Sequence, residues 1–205
     1  MINSDGLCRA IKAISDTMSR QRGFLIELDQ RNGDGDLGIS MADGFAAAYS
    51  ALSDSPEKDL GKLCMYAGKA FNEAAPSSLG TIISLWLMGM ARSLKGKEEA
   101  DLPLFGEAMK AGLEKVMEKA GSKPGEKTIL DAVCPAVDAF IDHADQEAKA
   151  AFQAAAVAAA AGAEATADMM AVHGRAAYFG EKSIGLVDGG AVVGKLIFES
   201  VLTMF

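Results

Sequence analysis

Basic charge is scarce in this sequence of 205 residues: 20 lysines and arginines stand against 28 aspartates and glutamates, a net charge of −8. A nucleic-acid binder needs a basic face to meet phosphates, so that class is excluded. A phosphate ligand would have to be met through metal ions and backbone N–H groups. Cysteine is scarce too. Cys8, Cys64 and Cys134 are odd in number, far apart and in no CxxC pair, which argues against a disulfide framework or a structural zinc site. No apolar run reaches the ~18 residues of a membrane span; the best candidate, from Ile82 to Met90, is about half as long. Met1-Ile2-Asn3-Ser4-Asp5 lacks the basic and apolar regions of a signal peptide. Sustained period-two alternation is missing, and with it the signal of half-buried strands. These absences predict a reduced, cytoplasmic protein with neither a membrane nor a nucleic acid as partner. Hydrophobic residues make up 50% of the chain, too many for disorder. The length suits one domain with a sizeable core, spanning residues 1–205 without an internal linker or repeat.

What is present is helical periodicity. Leu7, Ile11, Ile14 and Met18 step by four, three and four, which lines one helix face. Leu60, Leu63, Ala67 and Phe71 do the same, as do Phe105, Met109, Leu113, Val116 and Ala120. Ile129, Val133, Val137 and Phe140 mark another stripe, and Val193, Leu196, Ile197 and Val201 the last. Residues 82–90 are apolar on every side, which predicts a helix at the centre of a bundle. Thirteen alanines in the twenty positions from Ala148 to Ala167 read as a closely packed helix rather than a linker, because alanine has the highest helix propensity. The expected fold is all-α: an antiparallel bundle of about eight amphipathic helices with short connections.

The breaks carry more information about function. They fall at 29–38, 76–81, 121–125 and from Gly174 to Gly190, and in an up-and-down bundle alternate loops share one end. In the first of them Asp29, Asp34 and Asp36 lie within eight residues, interleaved with glycine. Two carboxylates about 5 Å apart repel by roughly 3 kcal/mol at an effective dielectric near 20, so such a turn calls for a counter-cation. Oxygen-only ligands favour Mg²⁺ or Ca²⁺. A calcium loop of the EF-hand type fails in both registers: from Asn32 its sixth and twelfth positions are Leu37 and Asp43, and from Asp34 its twelfth is Phe45. Aspartates with open coordination sites suit Mg²⁺ shared with substrate phosphates, while a solvated Asp/Gly turn explains the cluster equally well on the loop alone.

Leu28-Asp29, Gly33-Asp34-Gly35-Asp36 and Gly38, followed by Gly44-Phe45, resemble the opening signature of the L-type, nucleotide-binding subunit of dihydroxyacetone kinases. Pro124-Gly125-Glu126-Lys127-Thr128-Ile129-Leu130-Asp131-Ala132 resembles that family's second motif. Gly174-Arg175-Ala176-Ala177-Tyr178-Phe179-Gly180-Glu181-Lys182-Ser183-Ile184-Gly185, ending in Asp188-Gly189-Gly190-Ala191, resembles the third. The resemblance implies a barrel of eight helices holding ADP or ATP at one end. It implies that Asp29, Asp34 and Asp36 ligate two Mg²⁺ ions bridging the nucleotide phosphates. It puts Gly38, Ile39 and Ser40 at the phosphates, and matches Ser78, Leu79, Gly80 and Thr81 to a phosphate-side loop at a helix N-terminus, where Ser77 beside them is a further candidate contact. Gly121, Ile129, Arg175, Asp188, Gly189 and Gly190 match further nucleotide contacts, and Arg175 stabilises the transferring group.

The resemblance also implies a division of labour. The family's substrate-holding histidine lies on a separate K-type subunit, so this chain would transfer a phosphoryl group to dihydroxyacetone or a related small ketose held by that partner. The phosphoryl donor is either exchangeable ATP or a phosphotransferase-system protein that rephosphorylates a bound ADP. A homodimer is left open. His143 and His173 read as ordinary positions. The chain departs from the family at Leu37 and Leu186, where histidines are usual, at Gly189 in place of proline, and at Leu79 in place of a small residue. A non-catalytic, nucleotide-sensing module of the same fold is the alternative. Ser77 and Ser78 also read as a helix N-cap, and Thr128 with Asp131 as a capping box. Lys127 reads as structural or electrostatic, since no GxxxxGK[ST] motif is present.

Overall fold

The five apolar stripes, the apolar run over 82–90 and the alanine-rich stretch each form a helix, and one more helix follows the acidic turn. In order these are α1 (Ser4–Asp29), α2 (Leu37–Ser53), α3 (Leu60–Ala74), α4 (Ser78–Ser93), α5 (Leu102–Ala120), α6 (Leu130–Asp142), α7 (Ala148–Ala165) and α8 (Gly189–Leu202). Two 3₁₀ segments, Thr166–Asp168 and Arg175–Ser183, lie between α7 and α8. The computed structural model describes residues 1–31 and 33–205; Asn32, one of the two calcium-loop starts considered above, lies outside them. Among the described residues no helix is long and apolar enough to cross a membrane.

The caps follow from the residue types at the helix starts. Asn3 accepts from Gly6 N–H at 3.0 Å, Asp59 from Lys62 at 3.1 Å, Ser77 from Gly80 at 3.1 Å, Asp101 from Leu104 at 2.9 Å and Asp188 from Ala191 at 2.7 Å. Each side chain satisfies an N–H that the first helical turn leaves without a partner. A two-residue antiparallel bridge, Ile2 against Ala100 and Asn3 against Glu99, joins the start of α1 to the α4–α5 connection. Period-two alternation cannot reveal a strand that short.

Every helix packs on its successor, and α8 returns to α1, so the eight close into a ring. The interior is apolar: Leu7, Ile11, Ile14, Met18, Leu63, Phe71, Met109, Val116, Val133 and Phe140 are all buried. Phe71 meets Phe45 edge-on with ring centroids 4.9 Å apart, and the Trp86 indole N–H donates to Met109 O at 3.0 Å. The expectation of a central helix over 82–90 is corrected here. α4 is one stave of the ring, packed mainly between α3 and α5. A stave faces the interior and two neighbours, which buries most of its circumference without placing it at the centre. One end of the ring opens on an apolar cavity of about 590 Å³ lined by Ile11, Phe45, Trp86 and Phe198. The other end carries the polar cleft described below.

The alanine-rich helix is packed as its composition predicts. Ala151, Ala155, Ala156, Ala159 and Ala163 are buried, and at Gly162 the α7 backbone runs directly against Asp131 O of α6. A Cβ at 162 has no room there. Gly162→Ala should therefore destabilise the protein by about 2 kcal/mol, the cost of overpacking against rigid backbone exceeding the ~1 kcal/mol gain in helix propensity. Urea denaturation measures it.

Candidate functional site

Four connections, α1–α2, α3–α4, α5–α6 and α7–α8, meet at one end of the ring around a cleft of about 560 Å³. The closed up-and-down topology brings them together, and it has an electrostatic consequence. The N-termini of α2, α4, α6 and α8 all point to this end, contributing Leu37, Ser78, Leu79, Ile129, Gly189 and Gly190 to the wall or rim. Free first-turn N–H groups and the positive ends of helix dipoles favour anions. An acidic protein thus gathers four positive helix ends on one side.

The opposite sign of charge comes from the turn after α1. Gly33 N–H donates to Asp29 O at 2.6 Å, and Gly35 N–H to Asp29 Oδ2 at 2.7 Å. Gly35 sits at φ 79°, the left-handed region that glycine enters without Cβ cost. The turn brings one oxygen from each of Asp29, Asp34 and Asp36 within 4.8 Å of one another. Burial first, and then the Asp34 and Asp29 carboxylates, raise the pKa of Asp36; Arg175 opposes them. The Arg175 guanidinium lies 2.6 Å from Asp34 Oδ2, a cation drawn to the cluster from the far side of the cleft. Three convergent carboxylate oxygens suit a hard divalent cation.

Of the residues singled out in the sequence, Asp29, Asp34, Asp36, Ser77, Ser78, Leu79, Ile129, Arg175, Asp188, Gly189 and Gly190 line this one cleft. Gly38, Ile39, Ser40, Gly80, Thr81 and Gly121 are outside its lining. Gly38 is pressed against Arg22 O of α1, and Gly80 against Ala75 O, so both glycines serve close backbone approach. Ile39 is exposed, Ser40 N–H bonds the O of Asp36, the residue that precedes α2, and the Thr81 hydroxyl donates back to Ser77 O at 3.1 Å. Gly121 ends α5 at φ 66° in open space.

Two cleft residues lie where sequence reasoning saw only ordinary or structural positions. His173 Nε2 is 2.6 Å from Glu126 Oε2, and that bond, with Lys123 N–H at 2.9 Å, lowers the Glu126 pKa. The two residues are 47 positions apart, so only the fold joins them. His143, by contrast, simply bonds Ala139 O at the end of α6. Lys127, expected to be structural or electrostatic, is buried at the cleft wall. The capping box is present in one direction: Asp131 accepts from Thr128 N–H at 2.7 Å, while the Thr128 hydroxyl accepts from Leu130 N–H at 3.2 Å.

Asp188 offers a pH test. Burial pushes its carboxyl up to about 6, against the pull of the Ala191 N–H and of Lys127. Well below pH 4 the group is neutral in both folded and unfolded chains. As pH rises towards 6 the unfolded chain loses this proton first, and the folded state loses stability. Asp188→Asn keeps an N-capping side chain without the charge. Relative to the unaltered protein it should gain up to about 3 kcal/mol between pH 4 and 6 and stay level above, by denaturation at stepped pH.

Residues 32–203 match the family model described as the DAK2 domain. Over 200 residues the chain is 30% identical to the ADP-binding subunit DhaL of PEP-dependent dihydroxyacetone kinase 1 from Listeria innocua, covering 98% of this chain and 96% of that protein. The native dihydroxyacetone kinase of C. freundii superposes with a TM-score of 0.78 at 24% identity, over 98% of this chain and 34% of that one. The same enzyme in complex with AMP-PNP and Mg²⁺ gives 0.77 at 24% identity, over 97% and 33%. This chain spans about a third of the length of those solved chains. At that identity the likeness establishes a shared fold over the matched residues.

Proposed function

The chain belongs to the DAK2 domain family, and from that premise we propose that it is the ADP/ATP- and Mg²⁺-binding subunit of a cytoplasmic kinase for dihydroxyacetone or a related small ketose. The observation that carries this reading is the convergence, around one cleft, of three carboxylates, Arg175 and four helix N-termini. Such a site offers a cation cluster and an anion cradle side by side, which is what a metal–nucleotide complex requires.

Mg²⁺ on Asp29, Asp34 and Asp36, two ions in this reading, would neutralise the nucleotide phosphates and ease attack on them. The chain's own groups do the positioning. First-turn N–H groups of α4 and α8, with the Ser77 and Ser78 hydroxyls beside them, hold phosphate oxygens. Arg175, exposed enough to turn from Asp34 towards the ligand, stabilises charge on the transferring group. Ile129 and Leu79 give the base an apolar wall. His173 is committed to Glu126 and His143 to Ala139 O, so neither is free to hold a ketose; that task falls to a K-type partner subunit. The listerial relative's PEP-dependence favours a tightly held ADP, rephosphorylated by a phosphotransferase-system donor, over freely exchanging ATP.

Leu37 favours a second reading. It is buried at the cleft with its Cδ2 against Gly189, where an imidazole would offer hydrogen bonds and a leucine offers none. A nucleotide-sensing module would keep the binding groups and lose the reactive ones. Calorimetry with ADP and ATP, with Mg²⁺ or with EDTA, tests the site itself, and mass spectrometry of ligand released on denaturation identifies the resident nucleotide. Magnesium-dependent binding is expected; no nucleotide affinity in either condition would refute both readings.

A further inference from the structure

A single buried ammonium group joins four points of the chain at the cleft wall. Lys127 is 2% exposed, and its Nζ donates to Thr166 O at 2.8 Å, Met169 O at 3.0 Å, Ser183 O at 2.6 Å and Leu186 O at 2.6 Å. An ammonium has three protons, so four carbonyls share them and the donor is saturated. Nothing is left over for a phosphate. This sets it apart from a lysine that reaches a nucleotide directly.

The backbone that presents this side chain is strained and held. Lys127 sits at φ 60°, a region L-residues rarely enter. Asp131 clamps the turn on either side of it, accepting from Gly125 N–H at 2.5 Å and from Thr128 N–H at 2.7 Å. Strain of this kind persists where the surroundings over-determine the geometry. The neighbouring Thr128 and Ile129 line the cleft, so the same turn serves both wall and brace.

The four acceptors are informative by their order in the chain. Thr166 and Met169 precede Arg175, and Ser183 and Leu186 follow it. The stretch between is poorly anchored by packing: Met170, Val172, Tyr178, Phe179 and Ile184 are exposed. Its other ties are few: the Ser183 hydroxyl donates to Gly180 O and accepts from Ala171 N–H, Val172 N–H reaches Glu126 O at 3.4 Å and Gly185 N–H reaches Ala167 O at 2.8 Å, and His173 pairs with Glu126 and Arg175 with Asp34. Asp188 has hydrogen bonds of its own, its N–H donating to Thr166 Oγ1 and its carboxylate accepting from Ala191 N–H. We propose that Lys127 is a positioning residue whose ammonium ties together both ends of the segment from 170 to 186, and thereby holds Arg175 over the acidic end of the cleft. The role given to Arg175 rests on the nucleotide reading above; the brace itself does not.

The test uses the full chain as Lys127→Met, Arg175→Ala and the double variant. Amide hydrogen exchange without nucleotide reads the brace: in Lys127→Met, exchange over 170–186 should rise at least about tenfold while α1 to α5 stay protected. Affinity for ADP with Mg²⁺ reads its consequence. Each single variant should bind about tenfold more weakly, and the double variant no more weakly than Arg175→Ala alone, because Lys127 acts through Arg175. A hundredfold loss in the double variant, or unchanged exchange in Lys127→Met, would overturn the proposal. Should Lys127→Met lose its helical circular dichroism, Lys127→Gln, which retains two N–H donors, is read by the same measures. If the unaltered protein binds no nucleotide, the functional reading fails, and exchange still decides whether the brace exists.

Discussion

Asp34→Ala is expected to abolish magnesium-dependent nucleotide binding, a loss of at least about a hundredfold or 2.7 kcal/mol, while leaving helical content and melting temperature nearly unchanged. The separation of the two effects follows from the geometry. Asp34 stands in the α1–α2 turn, outside any helix, and its side chain is 35% exposed. Its ion pair with Arg175 is solvent-screened, worth about 0–1 kcal/mol to stability. Removing one of three crowded carboxylates also relieves repulsion, which solvent around this exposed turn screens to the same order. These terms oppose each other, so the fold should hardly register the change. A metal bridging the cluster to phosphate would lose a ligand outright. Calorimetry with ADP and Mg²⁺ decides it, and unaltered affinity would remove the metal assignment.

Purified chain supplied with ATP, Mg²⁺ and dihydroxyacetone should form no product above background, and addition of a cognate K-type subunit with its phosphoryl donor should raise the rate by at least about a thousandfold, roughly 4 kcal/mol of barrier. The reason is the inventory of side chains at the cleft. It contains carboxylates, an arginine, hydroxyls and helix N-termini, all suited to hold and stabilise phosphates. Its one histidine bonds Glu126 at 2.6 Å and is not poised to capture a carbonyl. Robust turnover by the chain alone would contradict the division of labour. Failure with the partner present, combined with intact nucleotide binding, would favour the sensing module and give Leu37 its meaning.

Much of the site was legible because its signals are local. Asp29, Asp34 and Asp36 fall within eight residues, and no fold is needed to see that such charges repel one another and make a candidate cation site. The stripes through Leu7, Leu60, Phe105 and Val193 announce helices for the same reason: 3.6-residue periodicity is a property of neighbours in the chain. The meeting of alternate loops at one end followed from helix number and short connections. Leu37, Ser77 and Gly189 are strangers in sequence and walls of one cleft in space.

What the sequence could not decide is whatever depends on the ring's closure. An apolar helix reads alike whether it sits at a centre or forms a stave between two neighbours, because burial is the same; only the return of α8 to α1 shows that α4 has no central place. Glycines invite a phosphate reading, yet Gly38 and Gly80 are set by the backbones of Arg22 and Ala75, which no local pattern reveals. Lys127 is the sharpest case. In the chain it is a charged residue before a cap and could have faced solvent; in the fold it is saturated by carbonyls 39 to 59 residues away. Sequence determined which residues carry charge and which faces are apolar, since those are properties of side chains. The tertiary structure alone decided which charges are buried and what they touch, since partners distant in the chain meet only when the ring closes.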